Sequence, residues 1–319
     1  MLKYFMKIST IFIGTSEFAV PILNACLNHQ LLDVKTVLTQ PDRPVGRKQV
    51  PEAPKVKQYL IENDSKVEIE QPEKIKDVAD KILEKYKPDL IIVASYGQII
   101  PKSILNYPKY GCLNFHGSLL PILRGAVPIQ MSILQGFEKT GVTMQKMVFK
   151  MDEGPIISTR EIKLDGSETY ETLTRTLSEL SVEILNEDLE GWVNRNIEAE
   201  EQDDSKATYC YIKDTAKDKA EITSETTVEQ AERMIRAFYP WPIAWLTIPN
   251  GKNKDKRLKI YNSKIRNSKY EIRNNEKIKI TNEEDQLVLN LKDGLLILEE
   301  VQLEGKEKRS GEDYLWLVE

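Results

Sequence analysis

An asparagine and a histidine two residues apart form the pairing in this sequence best suited to chemistry. Asn114 and His116 lie in the stretch LNFHGSLLP, at the end of a short run that predicts a buried strand. Side chains two residues apart on a strand point to the same face. An amide and an imidazole side by side can donate two hydrogen bonds to an oxygen that becomes negative, as acyl transfer requires. The alternative is a hydrogen-bonded core histidine with an asparagine in a turn.

Asp152 is the second candidate and lies in the stretch KMDEGPII. It follows a strand pattern and precedes Gly154-Pro155, which predicts a loop at the end of that strand. A carboxylate beside an imidazole fixes the tautomer of the ring, so Asp152 is the expected partner of His116. The alternative is an ordinary turn aspartate. The other histidine, His29, lies in a polar turn and is expected at the surface.

Other sequence patterns for catalysis or binding are weak. Ser118 is not part of a GxSxG nucleophile motif, and Gly14 stands alone after the first strand, so no dinucleotide or nucleoside-triphosphate site is expected. The three cysteines are far apart in the sequence and are Cys26, Cys112 and Cys210. We expect reduced, buried thiols, with no disulfide and no metal site.

The length and composition favour an ordinary globular protein with two domains. The chain has 319 residues, of which 40% are hydrophobic and 30% charged. The apolar stretch near the N-terminus is short and interrupted, which predicts a first β-strand and not a signal peptide. No apolar run approaches the ~18 residues that a membrane span requires. These features together predict a cytoplasmic protein without a membrane partner.

Alternating strand and helix patterns over residues 1–197 predict an α/β domain with a doubly wound, mostly parallel, Rossmann-like sheet. The acidic, polar stretch 198–206 is the expected linker. The predicted strands of this domain are Lys7–Ile13, Val34–Thr39, Leu90–Ser95, Cys112–His116 and Gly141–Val148. The predicted helices are Phe18–Leu27, Glu73–Tyr86, Pro128–Gln135 and a long one from about Leu173 to Trp192.

Residues 207–319 predict a small β-barrel of the kind that binds oligonucleotides (an OB-like domain). Thr227 and Gln230 can form a capping box for a helix that ends at Phe238, before two prolines. Several short strand patterns follow, and Asp293-Gly294 predicts a hairpin between the last two.

Charge is distributed unevenly along the chain. The formal net charge is −5. A negative overall charge argues weakly against binding of nucleic acid, because phosphate contacts need clustered Lys and Arg. Residues 251–279, however, contain eleven Lys or Arg and three acidic residues. The imbalance fits an acidic body with a basic face for a polyanion. A solvated, lysine-rich loop is the alternative.

The stretch HGSLLPILRGAVPI from His116 to Ile129 closely resembles the folate-dependent formyltransferases. Their motif also has an asparagine two residues before the histidine and a later aspartate, here Asn114 and Asp152. The resemblance implies that Asn114, His116 and Asp152 form a catalytic trio and that 10-formyltetrahydrofolate is the formyl donor. The residues that would lie along the folate are Ser118, Leu119, Leu120 and Pro121.

Four further elements resemble the members of this family that formylate methionyl-tRNA. They are QPDRPVGRK (Gln40–Lys48), ATY (Ala207–Tyr209), RAFYPWP (Arg236–Pro242) and EGKEKRSGEDYL (Glu304–Leu315). The resemblance implies initiator methionyl-tRNA as acceptor, a C-terminal tRNA-binding domain and a monomeric enzyme. The residues expected to contact tRNA are Arg43, Arg47, Lys48 and Arg236.

Three other functions fit parts of the pattern. A formyltransferase acting on an amino-sugar nucleotide would use the same trio and ignore tRNA. A non-catalytic RNA-binding protein on a degenerate scaffold would not need all three polar residues. A hydrolase that releases formate from the same carrier would share the folate pocket but lack a tRNA-binding domain.

Overall fold

The computed structural model describes residues 7–45, 49–249, 253–266 and 278–317. The chain divides into two compact units. The first unit consists of Met1–Pro128, Lys139–Lys163 and Thr172–Cys210, and the second of Ile129–Glu138, Leu164–Glu171 and Tyr211–Glu319. The division differs from the predicted boundaries because residues 198–206 pack within the first unit and two earlier segments join the second.

The helices and strands follow one another along both units. The strands are β1 (Ile8–Gly14), β2 (Leu32–Leu38), β3 (Arg43–Val45), β4 (Val50–Glu52), β5 (Glu68–Glu70), β6 (Leu90–Ala94), β7 (Cys112–His116), β8 (Arg124–Gly125), β9 (Lys139–Lys146), β10 (Ile156–Lys163), β11 (Tyr209–Cys210), β12 (Trp245–Thr247), β13 (Arg257–Arg266), β14 (Lys279–Glu283), β15 (Gln286–Leu291), β16 (Gly294–Leu303) and β17 (Arg309–Ser310). The α-helices are α1 (Ala19–Asn28), α2 (Lys55–Glu62), α3 (Ala79–Tyr86), α4 (Lys102–Asn106), α5 (Pro128–Leu134), α6 (Tyr170–Val193) and α7 (Val228–Phe238).

A seven-stranded sheet in the order β10-β9-β7-β6-β1-β2-β5 forms the centre of the first unit. Strands β7, β6, β1, β2 and β5 are parallel neighbours, whereas β9 is antiparallel to both β7 and β10. The chain leaves β1 toward one edge of the sheet and later leaves β6 toward the other. Ligands of open α/β sheets bind outside the carboxyl ends of the strands near such a reversal. This topology confirms the predicted doubly wound, mostly parallel fold.

Strand β6 shows why the central strands form where the sequence predicts them. All five of its side chains are buried, as expected for a parallel strand covered on both faces. Fully burying a Leu, Ile or Val side chain contributes about 1.5–3 kcal/mol relative to leaving it exposed. The apolar run therefore has a strong preference for the interior of the sheet.

The predicted helix Glu73–Tyr86 is shorter than expected. A 3₁₀ turn occupies Ile75–Asp77, and the α-helix begins at Ala79. The backbone N–H of Ile75 donates to the side-chain oxygen of Gln98 at 2.8 Å. The first N–H of this segment is therefore satisfied by a side chain from a distant part of the chain. Local periodicity cannot reveal such a contact.

Helix α6 confirms the predicted long helix and buries one face within the first unit. Leu173, Leu177 and Ile184 are among its buried residues, at the spacing of an amphipathic helix. Near its end, the indole N–H of Trp192 donates to the carbonyl of Tyr110 at 2.9 Å, which ties the helix to the residues before β7. Among the described residues, no helix combines the length and apolarity that a bilayer span requires.

The second unit contains an antiparallel sheet in the order β12-β13-β16-β15-β14, with β17 paired to β16. Thr227 and Gln230 form both bonds of the predicted capping box at the start of α7. Leu291 pairs with Gly294 at the predicted hairpin between β15 and β16. The fold class predicted for the C-terminal part, a small β domain, is confirmed by this half-barrel sheet.

Candidate active site

The three residues expected to do chemistry lie together in the first unit. Asn114 and His116 are buried and share one face of β7, and His116 is its last residue. The side-chain amide of Asn114 lies 3.4 Å from Oδ1 of Asp152. Nδ1 of His116 lies 3.7 Å from the other carboxylate oxygen, Oδ2. One carboxylate therefore faces both the amide and the imidazole at the carboxyl end of a central strand.

Asp152 belongs to the loop between β9 and β10 and has a left-handed backbone, with φ of 53°. The backbone N–H of Gly125 donates to its Oδ2 at 2.8 Å, and the side-chain amide of Gln145 donates to its Oδ1 at 2.9 Å. A carboxylate that accepts several N–H groups is held in one orientation. The site thus contains a carboxylate of fixed orientation beside the histidine.

Each ring nitrogen of His116 faces an oxygen. Nε2 lies 2.9 Å from the carbonyl oxygen of Leu123. Because a carbonyl only accepts hydrogen bonds, Nε2 carries a proton. Nδ1 is 3.7 Å from Asp152, which is longer than a direct hydrogen bond. The nitrogen with room to contact a substrate is therefore Nδ1.

The segment expected to follow the folate forms the turn after β7. Ser118 and Leu120 are buried, whereas Leu119 and Pro121 are half-buried. The hydroxyl of Ser118 donates to the carbonyl of Ile122 at 2.6 Å. Ser118 and Leu120 thus stabilise the turn, and Leu119 and Pro121 are the two of the four with side-chain surface left for a ligand.

A buried arginine supports this region and was missed as a site residue by sequence reasoning. Arg124 is 1% exposed, and its guanidinium donates to Gln202 at 2.8 Å and to Asp204 at 2.7 Å. The amide of Gln202 donates in turn to the carbonyls of Asp152 and Gly154, at 2.8 and 2.6 Å. Residues from the expected linker therefore hold the loop that carries Asp152.

Strand β8 pairs with β11, and this pairing positions the backbone N–H of Gly125 to donate to Asp152. Gly125 has a φ of 123°, and a Cβ at this position would lie 1.9 Å from the carbonyl oxygen of Cys210. Only glycine can adopt this backbone conformation at so close an approach. The Arg-Gly pair of the sequence motif therefore has two structural roles, a buried charge and a close backbone contact.

The residues expected to contact tRNA are distributed over both units. Arg43 is exposed, and its guanidinium pairs with Glu73 at 2.8 Å. Arg236 is largely buried in the second unit, where it pairs with Glu232 at 2.8 Å and donates to the carbonyl of Glu168. Arg47 and Lys48 lie outside the described residues.

The remaining histidine and the cysteines lie apart from this chemistry. His29 is half-buried and not fully at the surface as expected: its Nδ1 accepts the N–H of Leu31 at 3.2 Å, and burial lowers the pKa of the ring. All three cysteines are buried and free. Within the described parts of the chain, no group of three or more His, Cys, Asp or Glu side chains is placed to hold a metal ion.

Known proteins with similar folds include two that are described with folate ligands. HypX from Aquifex aeolicus, in complex with tetrahydrofolic acid, matches with a TM-score of 0.64 at 15% identity, over 97% of this chain and 47% of that one. The chain thus spans about half the length of HypX. An N-formyltransferase from Helicobacter canadensis, in complex with folinic acid and dTDP-3-aminofucose, gives a TM-score of 0.65 at 17% identity, over 95% of this chain and 100% of that one. At these identities the likeness concerns the fold.

Sequence comparison gives a much stronger match. A methionyl-tRNA formyltransferase from Bacillus velezensis is 38% identical over 307 residues, which cover 96% of this chain and 93% of that protein. Residues 6–189 match the formyl transferase family, and residues 215–316 match the C-terminal domain of formyl transferases. The chain, with Asn114, His116 and Asp152 assembled at the end of β7, belongs to the formyl transferase family.

Proposed function

We propose that the protein transfers the formyl group of 10-formyltetrahydrofolate to the amino group of methionine on initiator methionyl-tRNA. The observation that carries this proposal is the similarity of nearly the whole chain, including its C-terminal domain, to a methionyl-tRNA formyltransferase. The clustering of Asn114, His116 and Asp152 supplies the groups that the reaction needs.

The proposed reaction is the transfer of an acyl group between two nitrogens. The neutral methionyl amine attacks the formyl carbon, and a new C–N bond forms while the formyl oxygen becomes negative. The bond from carbon to the folate nitrogen then breaks, and a proton from the amine passes to that leaving nitrogen. The protein has to stabilise the oxyanion and provide a route for the proton.

Asn114 and His116 are the proposed donors to the oxyanion. The amide of Asn114 makes only a long contact of 3.4 Å with Asp152, so a small rotation lets it donate to a substrate oxygen. The geometry favours Nδ1 of His116 as the second donor, because Nε2 is engaged with the carbonyl of Leu123. Asp152 stabilises the protonated ring and, through a water, assists proton transfer from the amine.

The folate is proposed to lie along Ser118, Leu119, Leu120 and Pro121. The half-buried side chains of Leu119 and Pro121 offer apolar surface within a few residues of His116. The buried Ser118 and Leu120 keep the turn in place through hydrogen bonds to Ile122 and to Thr143. This arrangement would bring the formyl carbon close to the end of β7.

Arg43, Arg47 and Lys48 are proposed to contact the acceptor end of the tRNA. Arg43 is 57% exposed and its ion pair with Glu73 lies at the surface, so a phosphate can replace the glutamate at little cost. Arg236 is already neutralised by Glu232. We therefore propose that Arg236 supports the tRNA-binding unit mainly through its internal contacts. The basic residues between 251 and 279 would add contacts to the tRNA backbone.

A tRNA acceptor implies that the reaction takes place in the cytoplasm. The proposed acting form is a monomer, since a single chain supplies Asn114, His116 and Asp152.

A panel of acceptors tests the proposal. The purified protein would be incubated with 10-formyltetrahydrofolate and either initiator methionyl-tRNA, uncharged tRNA, or an amino-sugar nucleotide. We expect formylation with the charged tRNA alone. Formylation of the amino-sugar nucleotide in its place would overturn the acceptor assignment while retaining the chemistry. Release of formate without any acceptor would indicate a hydrolase.

A further inference from the structure

Gln145 is a buried polar residue directly beside the catalytic trio. It lies opposite Asn114 in the antiparallel pairing of β7 and β9, so the two side chains share one face of the sheet. Gln145 is 1% exposed. Its position in the sheet therefore directs its amide toward the same carboxylate that Asn114 contacts.

The two amides have unequal contacts with Asp152. Both approach the same oxygen, Oδ1, but Gln145 donates at 2.9 Å and Asn114 at 3.4 Å. The other oxygen, Oδ2, accepts the backbone N–H of Gly125 at 2.8 Å. The carboxylate is therefore fixed by Gln145 and Gly125, and its bond to Asn114 is the weakest of the three.

We infer that Gln145 is a positioning residue, which satisfies Oδ1 of Asp152 and thereby leaves the amide of Asn114 free to donate to the formyl oxygen. Without Gln145, Oδ1 would have Asn114 as its remaining side-chain donor. Asn114 would then turn toward the carboxylate and away from the substrate. The inference rests on the proposed formyl transfer, in which Asn114 acts as an oxyanion donor.

The remaining surroundings of Gln145 argue against a role in stability alone. Its side-chain oxygen is buried and has no hydrogen-bond partner among the described residues. Burying an amide with one half unsatisfied costs free energy. Its neighbour Met144 is completely buried. An apolar side chain would pack at this buried position without that cost. The bond to Asp152 is therefore the interaction that accounts for a glutamine here.

Replacing Gln145 by methionine removes the donor and keeps the length of the side chain. Gln145→Met should lower kcat by about 10- to 100-fold, the size expected when a catalytic group is misplaced. The KM values for folate and tRNA should stay within about twofold of wild type, because binding groups are untouched. The melting temperature should change little, because the variant loses the bond to Asp152 together with the buried, unsatisfied side-chain oxygen. Gln145→Glu should lower kcat further, because it opposes two carboxylates.

Met144→Leu is the matched packing control, since Met144 is adjacent in β9 and points to the opposite face of the sheet. It should leave kcat near the wild-type value. If Gln145→Met keeps kcat within about twofold of wild type, the inference is wrong. The inference is equally wrong if the Gln145→Met variant loses activity only in proportion to its loss of folded protein. Substitution of an ordinary packing residue would have that effect.

A second readout separates this inference from the proposed function. The chain has only two histidines, His29 and His116, so the ring nitrogen signals of His116 can be assigned by NMR with a His29→Gln variant. Gln145→Met should change the ring ¹⁵N shifts of His116, because the facing Asp152 moves, whereas Met144→Leu should not. Unchanged shifts would overturn the inference even if transfer occurs. Changed shifts in a protein that fails to formylate tRNA would contradict the proposed function alone.

Discussion

Each ring nitrogen of His116 faces an oxygen, and the hydrogen bond at Nε2 fixes the orientation of the ring. Nε2 donates to the carbonyl of Leu123 at 2.9 Å, and Nδ1 faces Asp152 at 3.7 Å. A side chain held in this way needs little reorganisation when charge develops on a substrate, and such preorganisation is a large part of catalysis. Replacement of this histidine is therefore the best single-residue test of the proposed chemistry.

His116→Gln should lower kcat for formyl transfer by about 10²- to 10³-fold, the usual effect of losing one donor to an oxyanion. Glutamine retains hydrogen-bonding capacity and similar bulk, so the fold should persist. Single-turnover rates with saturating donor and acceptor, together with thermal unfolding, provide the measurement. The control is His29→Gln, which replaces the other histidine of the chain and should react at the wild-type rate. Equal rates for both variants would exclude His116 from the chemistry.

The sequence permitted Asn114 and His116 to be predicted together because a spacing of two on a strand places side chains on one face. Gln145 is different, because it meets Asp152 only when β9 pairs with β7 in one register. Its signal was a glutamine within a strand pattern that is otherwise largely apolar. Gln202 carries no such signal, since it lies in a polar stretch and reaches Asp152 from fifty positions away.

Strand β8 shows how an element of two residues can control the site. Its pairing with β11 sets the position of the Gly125 N–H that binds Asp152. The φ of Gly125 and the 1.9 Å approach of a Cβ to the carbonyl of Cys210 leave no room for another residue. A change that breaks the pairing of β8 with β11 should therefore lower both the stability and the activity of the protein.

Gly125→Ala should therefore lose both stability and transfer activity. Backbone strain at a positive φ alone costs of order 1–3 kcal/mol, and the clash with Cys210 adds to it. Gly166→Ala is a useful comparison, because Gly166 also has a positive φ, 87°, but a Cβ there meets nothing within 4 Å. Urea unfolding and transfer rates would be measured for both variants. A Gly125→Ala protein as active and stable as Gly166→Ala would contradict the role of β8.

Elements whose stability is local could be predicted best from the sequence. The capping box of α7 and the buried run of β6 are examples, since propensity and periodicity already specify them. The start of the segment near Ile75 could not be predicted, because Gln98 satisfies its N–H from a distant part of the chain. Strand β10 was also missed, since its largely polar sequence is stabilised by pairing with β9.

The protein as a whole has a net charge of −5, but residues 251–279 are strongly basic. If Arg43, Arg47 and Lys48 contact tRNA phosphates, the KM for tRNA should rise steeply with salt. Replacing each by glutamine should reduce the slope of log KM against log salt by about one. The KM for folate and the rate of the bound complex should change little. A KM for tRNA that is independent of salt would refute the electrostatic part of the proposal.

The reactivity of the three cysteines tests whether their thiols are buried in the folded protein. Burial raises the pKa of Cys112 to about 12 and raises that of Cys26 as well. Since the thiolate is the reactive form, the native protein at pH 8 should react negligibly with a thiol reagent such as Ellman's. Unfolding in denaturant should expose three reactive thiols, one for each cysteine in the chain. Fewer than three after unfolding would indicate a disulfide, contrary to the free thiols of the structure.

The decisive experiment on the proposed reaction follows transfer of a labelled formyl group to methionine on its tRNA. The full-length protein would be mixed with 10-formyltetrahydrofolate labelled in the formyl carbon and with initiator methionyl-tRNA. The ester bond would then be hydrolysed and the released amino acid identified. We predict labelled N-formylmethionine, formed in proportion to charged tRNA and absent with His116→Gln. Recovery of unmodified methionine, with the label still on the folate or released as formate, would contradict the assignment of this chain as an enzyme that formylates methionyl-tRNA.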